Sequence, residues 1–315
     1  MVVPELSIVV PVYGCASTLR ELVDRISQSL ETVVSSYEVI LVDNGTVDDC
    51  WSLITALAEC DYRIVGLRLS RNFGQQAAIF AGLSVTKGSW IVVMDCDLQD
   101  LPEEIPKLLR KANEGYEHVV ALRTNRQDTW FKKFTSKVYL RILSYMLGQR
   151  ISGSVHNFGI YSRRMIKVLS DLSEQSKTFG LLVLWAGFSR FELEVEHGAR
   201  KSGSSSYSIT ALIRLAFSAI VNYSDKPLRL MVKFGFLLTG TTFLYGFWVL
   251  VRFAFTSQLL LGWTSIVSLI VFLFGALFSS IGVMGLYVGN TFAEAKGRPS
   301  FIIWKNTLSE FKETN

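Results

Sequence analysis

The sequence predicts an α/β fold built on a mostly parallel sheet, followed by two membrane-crossing helices, and three observations carry that prediction. Short runs that are apolar along their whole length alternate with helical patterns from Leu6 to Leu122. That is the pattern of parallel strands covered on both faces by the helices that connect them. Several of these runs end in a polar or acidic side chain, at Tyr13, Asp43 and Asp95. Finally, the apolar excess sits towards the other end: no charged residue occurs between Lys233 and Arg252, nor between Arg252 and Glu294. At ~1.5 Å per helical residue the first stretch spans roughly 27 Å, close to a hydrocarbon core of ~30 Å.

LSIVVPVY (6–13) reads as a buried strand, followed from Thr18 by a helix with Leu19, Leu22, Val23, Ile26 and Leu30 on one face. YEVILVD (37–43) is the second strand, closed by the turn Asn44-Gly45-Thr46. Asp48 to Ala58 is a second helix and RIVGLRLS (63–70) a third strand. Gln75 to Thr86 is helical and ends at Lys87-Gly88; SWIVVMD (89–95) and HVVALR (118–123) are the fourth and fifth strands. In such sheets ligands bind beyond the carboxyl ends of the strands, which singles out Tyr13, Asp43, Asp95 to Asp97 and Arg123.

Beyond Arg200 the polar run KSGSSSYS leads into ITALIRLAFSAIVNYSD, whose apolar residues recur at helical spacing. It is either an interfacial helix along the bilayer or a core helix of the front domain. The expected division is a front domain over 1–205, a juxtamembrane helix over 206–229, membrane helices over 230–252 and 263–289, and a tail over 290–315. Lys226, Arg229 and Lys233 precede the first span and Lys296, Arg298 and Lys305 follow the second, whereas the link holds only Arg252. Positive charge marks the cytoplasmic side, so both termini are expected inside. The first residues lack the basic region and long apolar run of a signal peptide.

Composition excludes several classes. With 50% apolar residues the chain is not disordered. Cys15, Cys50, Cys60 and Cys96 show no paired spacing and read as reduced thiols; the three histidines are scattered, against a histidine metal site. The net charge is +5, and residues 123–141 match that excess alone, with Arg123, Arg126, Lys132, Lys133, Lys137 and Arg141 against Asp128. Beside membrane spans such a cluster points to lipid headgroups or phosphorylated ligands rather than nucleic acid.

Asp95-Cys96-Asp97 ends an apolar strand. Alternate residues there can present two carboxylates to one cleft while Cys96 turns back to the sheet. Paired carboxylate oxygens suit Mg²⁺ or Mn²⁺ holding a diphosphate. Pro102, Glu103 and Glu104 open the next helix.

SIVVPVY (7–13), VDNGTVD (42–48), RNFGQQAAIFAGL (71–83), MDCDLQDLPEEIP (94–106) and ALRTNR (121–126) together resemble glycosyltransferase family 2, in its polyprenyl-phosphate type. That group includes dolichyl-phosphate mannose synthase and bacterial undecaprenyl-phosphate sugar transferases. RKSGSSSYS (200–208), KPLRL (226–230), GWTS (262–265) and GLYVGNTFAEAKGRPSFII (285–303) extend the resemblance over nearly the whole chain, in order. It implies a GT-A, Rossmann-like nucleotide-sugar domain with a membrane hairpin, and inverting sugar transfer to a polyprenyl phosphate in the membrane. UDP-glucose is the first-choice donor, with mannose, N-acetylglucosamine and amino-arabinose donors as alternatives. Pro11, Tyr13, Asp43, Asp95 and Arg126 would then bind the donor, and Asp97 and Gln99 would hold the metal. Asp95, Asp97, Arg123 and Asn157 would serve catalysis, while Lys137, Arg200, Ser205 and Tyr207 would meet the acceptor. Arg123 and Arg126 would face phosphates of either ligand, and a homo-oligomer stays open.

The chain also departs from that family. Asn44 stands where a second acid is usual. In SVHNFGIYSRR (154–164) Asn157 and Gly159 replace an acid and an arginine, with Arg163 or Arg164 as the expected substitutes. Ser206, Leu286 and Asn290 depart at positions where Lys, Glu and Arg are common. An asparagine is no general base, yet a phosphate monoester with its second pKa near ~6 is already ionised at neutral pH. Catalysis is therefore still expected, with Asn157 positioning. Two competing readings are a processive polysaccharide synthase, whose QxxRW motif is missing, and a membrane-anchored nucleotide-sugar binder without turnover.

Overall fold

The computed structural model describes residues 3–123, 141, 144–146, 157–172, 174, 177–196, 198, 220–221, 224–256 and 262–308. The chain divides into two units, one of residues 1–140, 151–206 and 298–315, the other of 141–150 and 207–297.

The first unit is an eight-stranded sheet with helices. In chain order its elements are β1 (Leu6–Val12), α1 (Ala16–Leu30), β2 (Tyr37–Asp43), α2 (Cys50–Cys60), β3 (Ile64–Leu69), α3 (Gln75–Leu83) and β4 (Trp90–Val93). A 3₁₀ turn (Pro102–Glu104) then leads into α4 (Ile105–Ala112), β5 (His118–Arg123), β6 (Gly159–Ser162), α5 (Arg163–Asp171), α6 (Phe179–Trp185) and β7 (Arg190–Val195). The strand order is β7-β5-β6-β4-β1-β2-β3-β8, β8 being Ile303–Asn306. The central four strands are parallel, with Leu6 of β1 level with Tyr37 of β2 and Trp90 of β4. Towards the edges the sheet is mixed: β6 is antiparallel to β4 and β5, and β8 is antiparallel to β3.

The helices follow their sequence pattern. Thr18, Leu19, Leu22, Val23, Ile26 and Leu30 are the buried face of α1, each large aliphatic side chain contributing ~1.5–3 kcal/mol by leaving water. α3 stops at Leu83, short of the expected Thr86, because Ser84 Oγ and Thr86 Oγ1 donate to the carbonyls of Ala81 and Leu83. Hydroxyls bonded in this way offer the backbone an alternative to a further helical turn.

Two readings of the sequence are corrected. Cys15 and Cys96 are joined in a disulfide, leaving only Cys50 and Cys60 as free thiols. The pair is 81 residues apart and is brought together only because β1 and β4 are neighbours, so spacing carried no sign of it. The segment 290–315 is also more than a tail. It contains β8, and Thr307 just beyond accepts a hydrogen bond from the Gly66 amide at 3.0 Å. Gly66 admits no side chain there, since a Cβ would lie 2.5 Å from Ile54 Cγ2.

The second unit contains α7 (Lys226–Thr256) and α8 (Trp263–Ala295). Lys226–Trp248 and Leu269–Ala295 are long and apolar enough to cross a membrane, with mean hydropathies of 1.3 and 2.3. Phe236, Phe243, Leu244 and Phe278 all point outward, an apolar surface suited to lipid. Ser279 and Ser280 donate to the carbonyls of Gly275 and Ala276, four residues back, so these two hydroxyls are satisfied within α8. Of the juxtamembrane segment 206–229, residues 206–219, 222 and 223 lie outside the described residues, and Lys226–Arg229 form the first turn of α7.

Candidate active site

β2 and β3 lie on one side of β1 and β4 on the other, so the direction of winding reverses at β1. An open α/β sheet leaves a crevice beyond the carboxyl ends of its strands at such a switch point. Tyr13, Asp43 and Asp95 follow or end β1, β2 and β4 at this edge. Arg123 ends β5 on the same edge, since β5 and β4 both run antiparallel to the β6 between them.

On the β1–β2 side, Pro11 is buried in register with Val42, and Tyr13 is 56% exposed. Asp43 is fully buried. Its Oδ1 accepts from the Thr46 amide at 2.9 Å and the Thr46 hydroxyl at 2.8 Å, and its Oδ2 lies 3.2 Å from Arg68 Nε. This pairing is what makes a buried carboxylate tolerable. The Arg68 guanidinium in turn lies over the rings of Trp51 and Trp304. Asn44 donates from Nδ2 to Asn72 Oδ1 (3.1 Å) and accepts from the Phe73 amide (3.0 Å). An acid there would only accept, so this bond would need the Asn72 amide turned over to donate instead. Gly45 sits at φ +67°, and any Cβ would lie 2.5 Å from the Arg71 carbonyl carbon.

The segment after β4 alternates as the strand-end reading requires: Asp95, Asp97 and Gln99 are half-buried, while Cys96, Leu98 and Asp100 are buried. Asp95 is held from two sides. Gln75 at the start of α3 donates to its Oδ1 at 2.7 Å, and its own amide donates to Asp100 Oδ2 at 3.0 Å. The Gln99 amide donates to Asp97 Oδ1 at 3.1 Å across Leu98, whose φ of 62° turns the chain sharply. Gly198 closes against this turn, its amide 3.0 Å from the Gln99 carbonyl, where a Cβ would come within 2.4 Å of the Leu98 carbonyl oxygen. Thr18 Oγ1 of α1 donates to the Cys96 carbonyl at 2.9 Å. The outward donors are all oxygen, and among the described residues no three His, Cys, Asp or Glu side chains converge to ligate an ion. Such a site fits Mg²⁺ or Mn²⁺, hard ions whose shell phosphate and water oxygens complete.

Asn157 is half-buried two residues before Gly159, which is level with Val93 of β4 and therefore at the carboxyl edge. Gly159 leaves no room for the arginine of the resemblance. A Cβ there would lie 2.7 Å from the Val119 carbonyl oxygen and 3.0 Å from the Tyr161 hydroxyl, which donates to the Asn157 carbonyl. Arg163 and Arg164 do not substitute for it, because Ser162 is level with Trp90 and places both at the opposite end of β4. There Arg163 donates to the carbonyls of Gly88 and Thr86, both at 2.8 Å, and Arg164 pairs with Glu117. Arg126, Lys137, Arg200, Ser205 and Tyr207 lie outside the described residues, as does the side chain of Arg123. Sequence reasoning missed Gln75, Asp100, Thr18, Arg68 and Gly198; of these, Gln75 and Asp100 fall within segments already singled out.

The crevice at the switch point, the alternating acids after β4 and the interlocked loop after β2 together make up the candidate active site. The family model for glycosyl transferase family 2 matches residues 7–170, and the chain belongs to that family, with its GT-A fold. It is 35% identical over 303 residues to an uncharacterized glycosyltransferase, YkcC, of Bacillus subtilis (strain 168), covering 96% of this chain and 94% of that one. It is 34% identical over 302 residues to the undecaprenyl-phosphate 4-deoxy-4-formamido-L-arabinose transferase of Enterobacter sp. (strain 638), covering 95% and 92%. Among solved structures, glucosyl-3-phosphoglycerate synthase from Mycobacterium tuberculosis is 19% identical, with a TM-score of 0.47 over 70% of this chain and 78% of that one.

Proposed function

We propose that this glycosyltransferase moves a sugar from a nucleotide diphosphate to a polyprenyl phosphate, with inversion, at the membrane surface. The observation that carries the reading is the outward alternation of Asp95, Asp97 and Gln99 at the switch-point edge. The name of the 34% identical relative, which includes undecaprenyl phosphate, supports the acceptor.

Asp97 and Gln99 would hold Mg²⁺ or Mn²⁺, with Asp95 beside them. When bound, the ion supplies positive charge against the departing nucleotide diphosphate. Asp95, fixed by Gln75 and Asp100, orients the donor ribose and sugar; Pro11, Tyr13 and Asp43 form the base pocket, and Arg126 meets the donor phosphates. The acceptor phosphate, already ionised, attacks the anomeric carbon from the face opposite the leaving group, so the chain need only position it. Asn157 and Arg123 do this at the sheet edge, with Lys137, Arg200, Ser205 and Tyr207 towards the lipid. α7 and α8 form the hairpin of 230–252 and 263–289 and anchor the chain. Because β1 and β8 share one sheet, the chain would cross the bilayer an even number of times between them, leaving both on one face, which this reading takes as the cytoplasmic one.

Detergent-solubilised full-length chain, given undecaprenyl phosphate, Mg²⁺ or Mn²⁺ and a panel of nucleotide sugars, should yield a lipid-linked sugar of matching mass. UDP-glucose is the first donor to try. A nucleotide-linked 4-deoxy-4-formamido-L-arabinose is the second, because relatives carry that sugar in their names. Donor binding without any lipid-linked product would favour the binder reading instead.

A further inference from the structure

The disulfide lies inside the proposed donor site. Cys15 directly precedes α1, two residues after Tyr13, and Cys96 stands between Asp95 and Asp97, with 6.2 Å between their Cα atoms. β1 runs on to Val12, but its ladder with β4 ends at Val9 and Val93, so the 95–100 segment lies beyond the paired strands. Asp95 and Asp97 are presented outward in the form in which Cys96 is turned inward and bonded to Cys15. Hydrogen bonds from Thr18, Gln75 and Gly198 also reach this segment. Cys15 is half-buried and within reach of a small reagent, whereas Cys96 is 6% exposed. Cys50 is buried, and burial together with Asp48 pushes its thiol up to about 11, which keeps it protonated and unreactive.

We propose that Cys15 and Cys96 are a reversible redox-modification site that sets how tightly the chain holds a metal-bound nucleotide diphosphate, the disulfide form being the tight one. The inference rests on the donor-site reading above. A cross-link between the base-side loop and the acidic loop removes conformational freedom that binding would otherwise have to remove, so the bridged site is preorganised. The oxidant is a small-molecule disulfide, RSSR. One cysteine sulfur, as thiolate, attacks it, forming a protein–SR mixed disulfide and releasing RSH after proton uptake. The second cysteine loses its proton and displaces the remaining RS group as RSH, which closes the protein S–S bond. Two electrons pass from the two thiols to RSSR, and a dithiol reverses the sequence.

The test uses full-length chain in detergent, oxidised with glutathione disulfide or reduced with dithiothreitol. Thiols are counted, cross-linked peptides are mapped by mass spectrometry, and UDP and GDP affinities are measured with Mn²⁺. Oxidation should remove two of the four thiols and link the Cys15 and Cys96 peptides. It should also tighten nucleotide binding about 10-fold in the wild type and not at all in Cys15→Ser or Cys96→Ala. Cys60→Ser should keep the full response. Because the wild type is compared with itself, a variant that folds poorly does not undo the result. Equal affinities in the two states, four thiols after oxidation, or a link from Cys15 to Cys50 would overturn the proposal and leave the transferase reading standing. If neither UDP nor GDP bound in either state, the donor-site reading would be overturned and the redox site with it.

Discussion

The amino ends and the carboxyl ends of the central strands are both rich in polar side chains and use them in opposite ways. At the amino end these groups bond to one another and to the backbone. Ser7 donates to Glu38 at 2.6 Å, the same carboxylate accepts from the Lys87 amide, and Ser7 accepts from the Gly88 amide. Arg163 bonds to the Thr86 and Gly88 carbonyls beside them. At the carboxyl end the buried members of the set, Asp43 and Asp100, are likewise engaged, by Thr46 and Arg68 and by the Asp95 amide, but every second residue from Asp95 to Gln99 is turned outward. One end closes the fold and the other is arranged to meet something outside it. Substitutions at the two ends should therefore separate stability from activity.

The largest effect is expected at Asp97. Replacing it with alanine should lower product formation by roughly 10²–10³-fold, the range seen when one preorganised electrostatic partner of a developing charge is lost. The thermal midpoint should change little, because Asp97 is half-buried at the outward-turned end of the sheet and no core packing is lost with it. Product assays and thermal unfolding on the same preparation check both halves. An Asp97→Ala protein with full activity would erase the distinction between the two ends.

Arg163→Ala is the opposite case. It removes a group that satisfies two backbone carbonyls, and leaving them unpaired should cost about 3 kcal/mol of stability. At the size of this α/β unit that corresponds to a fall of roughly 6–12 °C in the melting midpoint. Activity per folded molecule should stay within about twofold, a range of under ~0.5 kcal/mol in the barrier. Had Arg163 taken the place of the missing family arginine, activity would fall first.

Sequence alone could not tell Arg163 from Arg123, and the reason is geometric. Both follow or end apolar runs, but β6 runs antiparallel to β4 and β5, so Arg163, just after its end, lies at the opposite edge from Arg123. β6 has only four residues, too few for a periodic signal. The parallel centre was legible because its strands are apolar throughout and end in marked residues. β7 was not, since RFELEV carries charges on alternate positions, nor was β8, a short strand set in a polar segment. The acidic loop after β4 was legible from its alternation. Gln75 reaches Asp95 from another element, and that depends on α3 starting beside β4, which no local pattern encodes.

The smallest effect belongs to His118, at the amino end of β5. It is 1% exposed, and its ring stacks at 10° on Tyr161, the residue level with it on β6. Burial, then the charge of Arg190, lowers its pKa to about 4, with Glu117 acting weakly in the other direction. In the unfolded chain the imidazole takes up a proton near the ordinary value of ~6.5, whereas in the fold it stays neutral until about 4. Between these values the unfolded state binds more protons, so stability falls as pH drops through that window and is unaffected above it. From pH 7 to 5.5 the loss should be about 1 kcal/mol, and a His118→Phe protein should lack that part of the slope. Thermal unfolding at the two pH values checks this, and an equal decline in both proteins would mean that the acid sensitivity resides elsewhere. The outward acids of the carboxyl end give the contrasting control. Asp97→Ala should retain the full His118 slope, because the group that titrates lies at the amino end of β5, the opposite edge of the sheet from Asp97.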